Sequence, residues 1–478
     1  MPGVLISRRR VLTGFGAAAL ALGLASCGGA SATTAPTSSS AQAATSATAP
    51  SSAAATTAAS TTSSAAAAAP APAAPAGGSA QLVFFTWGSA ERFKIWGDQV
   101  VGGFNKGHPG IVATLLEGPS DYEPKLLTMA AGGTAPDVFR LSEYWAVDIF
   151  AKNFCLQLDP YLARDKFKIE DHTSPPYTQC QYQGKWYAVP HGAAGNFVVW
   201  YNRDLFTKAQ VAFPTDDWTW NDFLTTAKAL TKSDAGKPVQ WGTSMEMVNY
   251  GVPYSYIWSN GGDELTPDGK SYLLDQQPAM QALQLLADLT TKEHVAPTAA
   301  EIPQGLGDIF LSGKVAMHYS GAWYEATAHQ AKFDFGLVLN PKMNASSERV
   351  AFAEQNATAA YRQGKHLDAA WQLLQYLISP ENQKVESSTG LNGPSDPAIL
   401  NSPDFLNVNG APYSRKAIVP GLLAKTRGAT LIPGYAQIQT AYSQKLATVW
   451  TGATTLQNAV PQVVAVAKQV IAQDQQSG

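Results

Sequence analysis

Charge is missing from the first part of this chain, where no charged residue falls between Arg10 and Glu91. From residue 28 to residue 80 the composition is almost wholly Ala, Ser, Thr, Pro and Gly. Such a segment cannot bury enough apolar surface to offset the entropy of ordering, which excludes a packed core there. Cysteine is scarce as well, with only Cys27, Cys155 and Cys180. The excess of either charge is small: a formal net charge of -3 gives no support to nucleic acid or an anionic surface as a partner. Catalytic signatures are absent too. No G-x-S-x-G elbow and no H-E-x-x-H pair occur, and the seven histidines (108, 172, 191, 294, 318, 329, 366) are dispersed, so no metal site and no cofactor are expected. "GDIFLSGKV" (307–315) has one residue too many between its glycines for a phosphate loop and Val315 where Ser or Thr would hold magnesium. A carboxylate pair for glycoside hydrolysis leaves no sequence pattern, so a secreted hydrolase stays open as an alternative.

What is present begins with an export signal. Arg8, Arg9 and Arg10 precede an apolar stretch, residues 11–24, that ends in Leu24-Ala25-Ser26-Cys27. A basic head and a short apolar run followed by small residues read as a signal peptide rather than a membrane span. The arginine pair resembles the twin-arginine export signal and the closing tetrapeptide resembles a lipoprotein lipobox. Residues 1–27 are therefore expected to direct export, with Cys27 lipidated and membrane-anchored. Residues 28–80 are then a flexible tether. With Cys27 acylated, Cys155 and Cys180 are left in a disulfide-permissive compartment and are expected to pair.

The remainder, residues 81–478, is long enough for a large core or two lobes. "AQLVFFTW" (80–87), "GIVATLLE" (110–117) and "APDVFRL" (135–141) read as strands separated by helical patterns, as βαβ units of a mostly parallel sheet require. "WYAVP", "NFVVWYN", "VAMHYS" and "FGLVLN" form a second set of strands. Thr219 followed by Asp222 predicts a capped helix through Leu230, and Ser379-Pro380 predicts a helix restart. Two sets of sheet elements favour two α/β lobes.

The ordered pieces "FFTW", "YEPKLLTMAAGGTAPDVF", "GKWYAVP", "VVWYNRDLF", "WTWNDFLTTAKALT", "WSNGG", "LSGKVAMHYSGAW" and "ISPENQKV" resemble the sugar-type extracellular solute-binding proteins of bacterial ABC importers, the group that contains maltose-binding protein. The resemblance implies an α/β type II periplasmic-binding-protein-like fold, with ligand in a cleft between two lobes joined by crossing strands. On that map lobe one is 81–200 plus 338–388, and lobe two is 201–337 plus 389–478, with crossings at 196–202 and near 335–342. It implies a monomer that binds a carbohydrate, partners the permease subunits of the transporter and carries out no catalysis. A glycerophosphodiester or other polar solute stays open as ligand, and maltose itself is not implied, because small residues dominate "HGAAGNF" (191–197).

A pyranose has an apolar C–H face and a rim of hydroxyls, so its site needs aromatic rings together with carboxylates or amides. The positions matching the family's pocket are Trp87, Glu117, Glu143, Tyr144, Asn196, Trp258, Asn260 and Trp323. Glycines beside Trp258 and Trp323 are expected to leave their ring faces approachable. Asp137 is expected to be structural, while Tyr254, Tyr256 and Tyr435 could serve either core or cleft.

Overall fold

The computed structural model describes residues 79–477 apart from 89, 120, 193–194, 246, 248–250, 299, 303–305, 355, 390, 408–412, 420 and 422–423. Cys27, the export signal and the tether lie outside the described residues.

In chain order the strands are β1 (Ala80–Thr86), β2 (Ile111–Glu117), β3 (Val138–Leu141), β4 (Gln181–Tyr182), β5 (Lys185–Trp186), β6 (Ala188–Pro190), β7 (Gly195–Asn202), β8 (Lys232–Asp234), β9 (Lys237–Met245), β10 (Val315–Gly321), β11 (Phe335–Leu339), β12 (Val350–Glu354), β13 (Ala357–Ala360) and β14 (Lys425–Arg427). They form two main sheets. The first runs β2-β1-β3-β13-β6, with β1, β2 and β3 parallel and β13 antiparallel to both its neighbours. The second runs β14-β12-β7-β10-β9-β8, with β11 beside β7. β4 and β5 make a separate hairpin.

Each sheet has its own core. Phe84, Phe85, Trp96, Phe139, Trp371 and Leu391 belong to one apolar cluster, while Phe197, Tyr256, Tyr319, Leu286 and Tyr435 belong to another. A third cluster, with Trp200, Phe310 and Ile418, covers the other face of the second sheet. Covering both faces lets β7 run apolar from Phe197 to Trp200 between its two asparagines. The helix at Trp220–Leu230 opens on the expected capping box, Thr219 and Asp222 holding each other's backbone N–H at 2.8 and 3.4 Å. Ser379 accepts from the Asn382 N–H to restart a helix at Pro380. Asp137 is structural: its carboxylate accepts from the Val83 N–H at 2.9 Å, joining two strands of the first sheet.

The chain passes between sheets at different points from those on the family map. β7 lies wholly in the second sheet, paired with β10 on one edge and with β12 and β11 on the other. Residues 196–200 and 338–354, expected in lobe one, therefore stand with lobe two, while Leu391 and Asn392, expected in lobe two, stand with lobe one. The chain goes over a last time between β13 and β14, and its first two crossings fall where pairing changes sheets between β6 and β7 on the outward pass and between β12 and β13 on the return. There the two passes bind each other, His191 N–H to Asn356 O at 2.8 Å and Asn356 N–H to Gly192 O at 3.4 Å. Gly192 has φ +91°, and a Cβ on it would fall 2.8 Å from Arg140 and Asn392.

Cys155 and Cys180 are buried free thiols, which corrects the expected disulfide. Burial pushes both thiols well above their ordinary pKa, and exchange needs the thiolate. Thiol titration of the unfolded, unreduced chain is expected to find both reactive, whereas a count of none would restore the bridge.

Candidate functional site

The parallel strands of the two sheets end toward the crossings. In lobe one β1 delivers Trp87, β2 delivers Glu117 and β3 leads to Glu143; in lobe two β10 ends at Gly321, opposite Phe197 at the start of β7. The crevice outside the carboxyl ends of strands is where open α/β sheets collect ligands. A cavity of about 240 Å³ lies between the lobes, with Arg92, Ile95 and Leu391 on one side and Trp323, Glu325 and Arg415 on the other.

At the end of β1 lies an aromatic cluster around a buried arginine. The partly buried Trp87 meets Tyr122 edge-on at 4.9 Å and Trp145 at 6.4 Å, while Tyr122 stacks on Phe85 at 4.3 Å. The Arg140 guanidinium lies 4.8 Å from the Trp87 ring and 5.4 Å from the Trp96 ring, within reach of cation–π attraction. Arg140 and Arg92 both donate to Asn392 Oδ1, at 3.4 and 3.2 Å. The other end of that amide donates to Glu386 at 2.9 Å, and Glu386 pairs with His191 at 2.9 Å. Asn392 thus ties the cavity-lining Arg92 and the buried Arg140 to the crossing. Burial pulls the Arg92 guanidinium below its ordinary pKa, against the opposing field of Glu386.

On the lobe-two wall Trp323 is partly buried and edge-on to Phe197 at 4.9 Å. Its indole lies against Gly321, where a Cβ would come within 1.9 Å of the ring. Beyond it Arg415 Nε donates to both oxygens of Glu325, at 2.8 and 3.0 Å, and Tyr413 donates to the same carboxylate at 2.7 Å.

The other expected site residues divide. Glu117 is exposed at the end of β2, and Glu143 is buried in the first turn of its helix. Tyr144 reaches over to pack against the second lobe's core. Asn196 is fully buried, and its amide donates to Ala417 O and Val419 O at 2.9 and 3.3 Å. It therefore supports the turn that carries Arg415.

Trp258 does not line the interlobe cavity. It is only 5% exposed, stacked on Phe352 at 5.7 Å, with the Arg427 guanidinium 4.4 Å from its ring and its indole N–H bonded to Asp263 at 2.8 Å. The ring is covered, and it borders a separate depression of about 430 Å³ on lobe two. Asn260 binds Pro278 O at 2.8 Å and so ties two helices together. Tyr254, Tyr256 and Tyr435 are all core. Arg92, Arg140, Trp145 and Arg415 escaped the sequence reading. A signal existed for Arg140, a charge inside the apolar strand "VFRL". Among the described residues no group of three His, Cys, Asp or Glu is placed to hold a metal ion, and no helix is long and apolar enough to cross a membrane.

Residues 86–384 match the family model of the bacterial extracellular solute-binding proteins. This chain belongs to that family. A Brucella abortus relative named as a binding protein is 27% identical to this solute-binding protein over 368 residues, covering 74% of this chain and 84% of the relative. The maltooligosaccharide ABC transporter solute-binding lipoprotein of Streptococcus pneumoniae is 24% identical over 317 residues, covering 64% and 71%. Among solved structures, the ABC substrate-binding protein Lmo0181 of Listeria monocytogenes, in complex with cycloalternan, superposes with a TM-score of 0.73 at 24% identity, covering 82% of this chain and 99% of that one. The maltotriose-bound MalE domain of Bdellovibrio bacteriovorus gives 0.69 at 19% identity, covering 82% and 100%. The solute-binding protein has their two-lobed, type II α/β fold.

Proposed function

We propose that this solute-binding protein captures a sugar, a mono- or oligosaccharide, between its lobes and delivers it unchanged to the membrane permease of an ABC importer. The observation that carries the reading is the pair of partly buried indoles, Trp87 and Trp323, at the strand ends of opposite lobes. Trp323 lines the interlobe cavity itself, and Trp87 is joined to it through Arg140, Asn392 and Arg92. Flat rings suit the apolar face of a pyranose, and guanidinium and carboxylate groups suit its hydroxyl rim. Relatives and structural neighbours that bind maltooligosaccharide, cycloalternan and maltotriose support the same ligand class. The family consists of binding proteins, which supports capture without turnover over the hydrolase alternative. The test is to incubate the purified protein with oligosaccharides and chromatograph them. Sugars recovered at full length with saturable binding are expected; shortened products would sink the reading.

The anchor belongs to the same reading. Cys27, acylated at the lipobox, would hold the protein on the membrane as a monomer, with residues 28–80 as tether. Two acyl chains at about 0.8 kcal/mol per buried CH₂ give stable attachment where one is marginal. Cys27→Ala is expected to move the protein out of the membrane fraction or block its processing, and unchanged processing and fractionation would contradict the anchor.

A further inference from the structure

The helix Glu143–Ala151 serves both lobes. Ala146, Ile149 and Phe150 lie in the first lobe's core. Tyr144 packs instead against the core of the second lobe. One turn further on, the same face presents Asp148, whose carboxylate accepts from the backbone N–H groups of Gly434 and, at 3.3 Å, Ala436. These open the helix Tyr435–Trp450, which is built into lobe two through Tyr435, Ile438, Tyr442 and Leu446.

The first N–H groups of a helix have no partner within it and form the positive end of its dipole, so they need a cap. Gly434 supplies no side-chain cap, and its φ of +84° would strain any other residue. A Cβ there would also fall 2.7 Å from Val470 of the last helix. The direction of the two N–H groups is thus fixed by lobe two. Tyr435, between them, points into lobe two and donates to Glu264 at 2.6 Å. The described cap of this long helix is therefore a carboxylate from the opposite lobe, only 8% exposed.

We propose that Asp148 is an interlobe clasp, a positioning residue that stabilises the approached lobes by capping the helix of the other one, and so raises ligand affinity without touching ligand. Rotation of one lobe against the other about the crossings between the two sheets would pull the carboxylate off its two donors and leave them to water. The clasp acts with or without ligand, so its conformational effect is separable from the sugar reading, on which only the affinity effect rests.

The test measures the distance between spin labels, one at an exposed position in each lobe, in the unliganded full chain. Asp148→Ala is expected to shift the distribution to longer distances. Asp148→Asn, which keeps an acceptor oxygen, is expected to restore much of the shorter population, as a purely folding-related role would not. Where a sugar binds, Asp148→Ala should raise Kd about fivefold, the equivalent of about 1 kcal/mol for a helix cap, through faster dissociation. Unchanged distances in unliganded Asp148→Ala would overturn the clasp even with sugar binding intact. Failure of every sugar to bind would instead sink the sugar reading and leave the distance result standing.

Discussion

Trp323→Ala is expected to weaken sugar binding tenfold or more, and Trp258→Ala to unfold the protein more readily while leaving affinity nearly unchanged. The two indoles look alike in the sequence, each beside glycine, but their surroundings differ. Trp323 borders the interlobe cavity and is partly buried, so losing it removes a stacking surface from the site at a cost of at least about 1.4 kcal/mol of binding. Trp258 is packed between Phe352 and Arg427, so truncation opens a cavity in lobe two at a cost of about 3–5 kcal/mol of stability. Calorimetric titration and denaturant midpoints of the two variants separate these effects. Loss of affinity in Trp258→Ala at an unchanged midpoint would move the ligand to the depression on lobe two.

The contribution of Glu264 to stability is expected to fall as pH rises from about 4.5 to about 7, and Glu264→Gln is expected to remove that part of the slope. Glu264 is 2% exposed in lobe two, and desolvation raises its pKa from 4.5 to about 7 even though Tyr435 and Tyr272 donate to it. A raised folded-state pKa means the native chain holds a proton that the unfolded chain has released, so stability is full below the unfolded value and is lost as pH climbs through the folded one. The span corresponds to about 3 kcal/mol on an order-of-magnitude basis. Urea unfolding across pH 4 to 8 measures it, and an unchanged slope in the Gln variant would assign the pH dependence to other groups.

Helix starts and strand positions were legible because they depend on local chemistry. The Thr219–Asp222 box, the Ser379 cap and the apolar run of β1 each act within a few residues. Sheet membership was not. β7 is buried on both faces, and an apolar run says that a strand is covered without saying which strands flank it. The glycines beside the tryptophans misled for a physical reason. Gly262 accommodates close backbone packing, since a Cβ there would fall 2.8 Å from Ala279 N, and a glycine kept for packing reads like one kept for access. Asn196 and Asn260 turned out to bind backbone carbonyls, a use of amides with no sequence mark. Arg140 was the readable omission, because a charge within a buried strand needs partners and those partners converge on the cleft.

Capture of an intact sugar between the lobes is tested most directly by titration calorimetry of the purified protein against a panel of mono- and oligosaccharides, with each sugar recovered afterwards. The expected result is saturable binding of at least one sugar, one molecule per chain, weakened tenfold or more in Trp323→Ala and with the sugar returned unaltered. No heat from any carbohydrate in the panel, or a bound sugar returned cleaved, would contradict it.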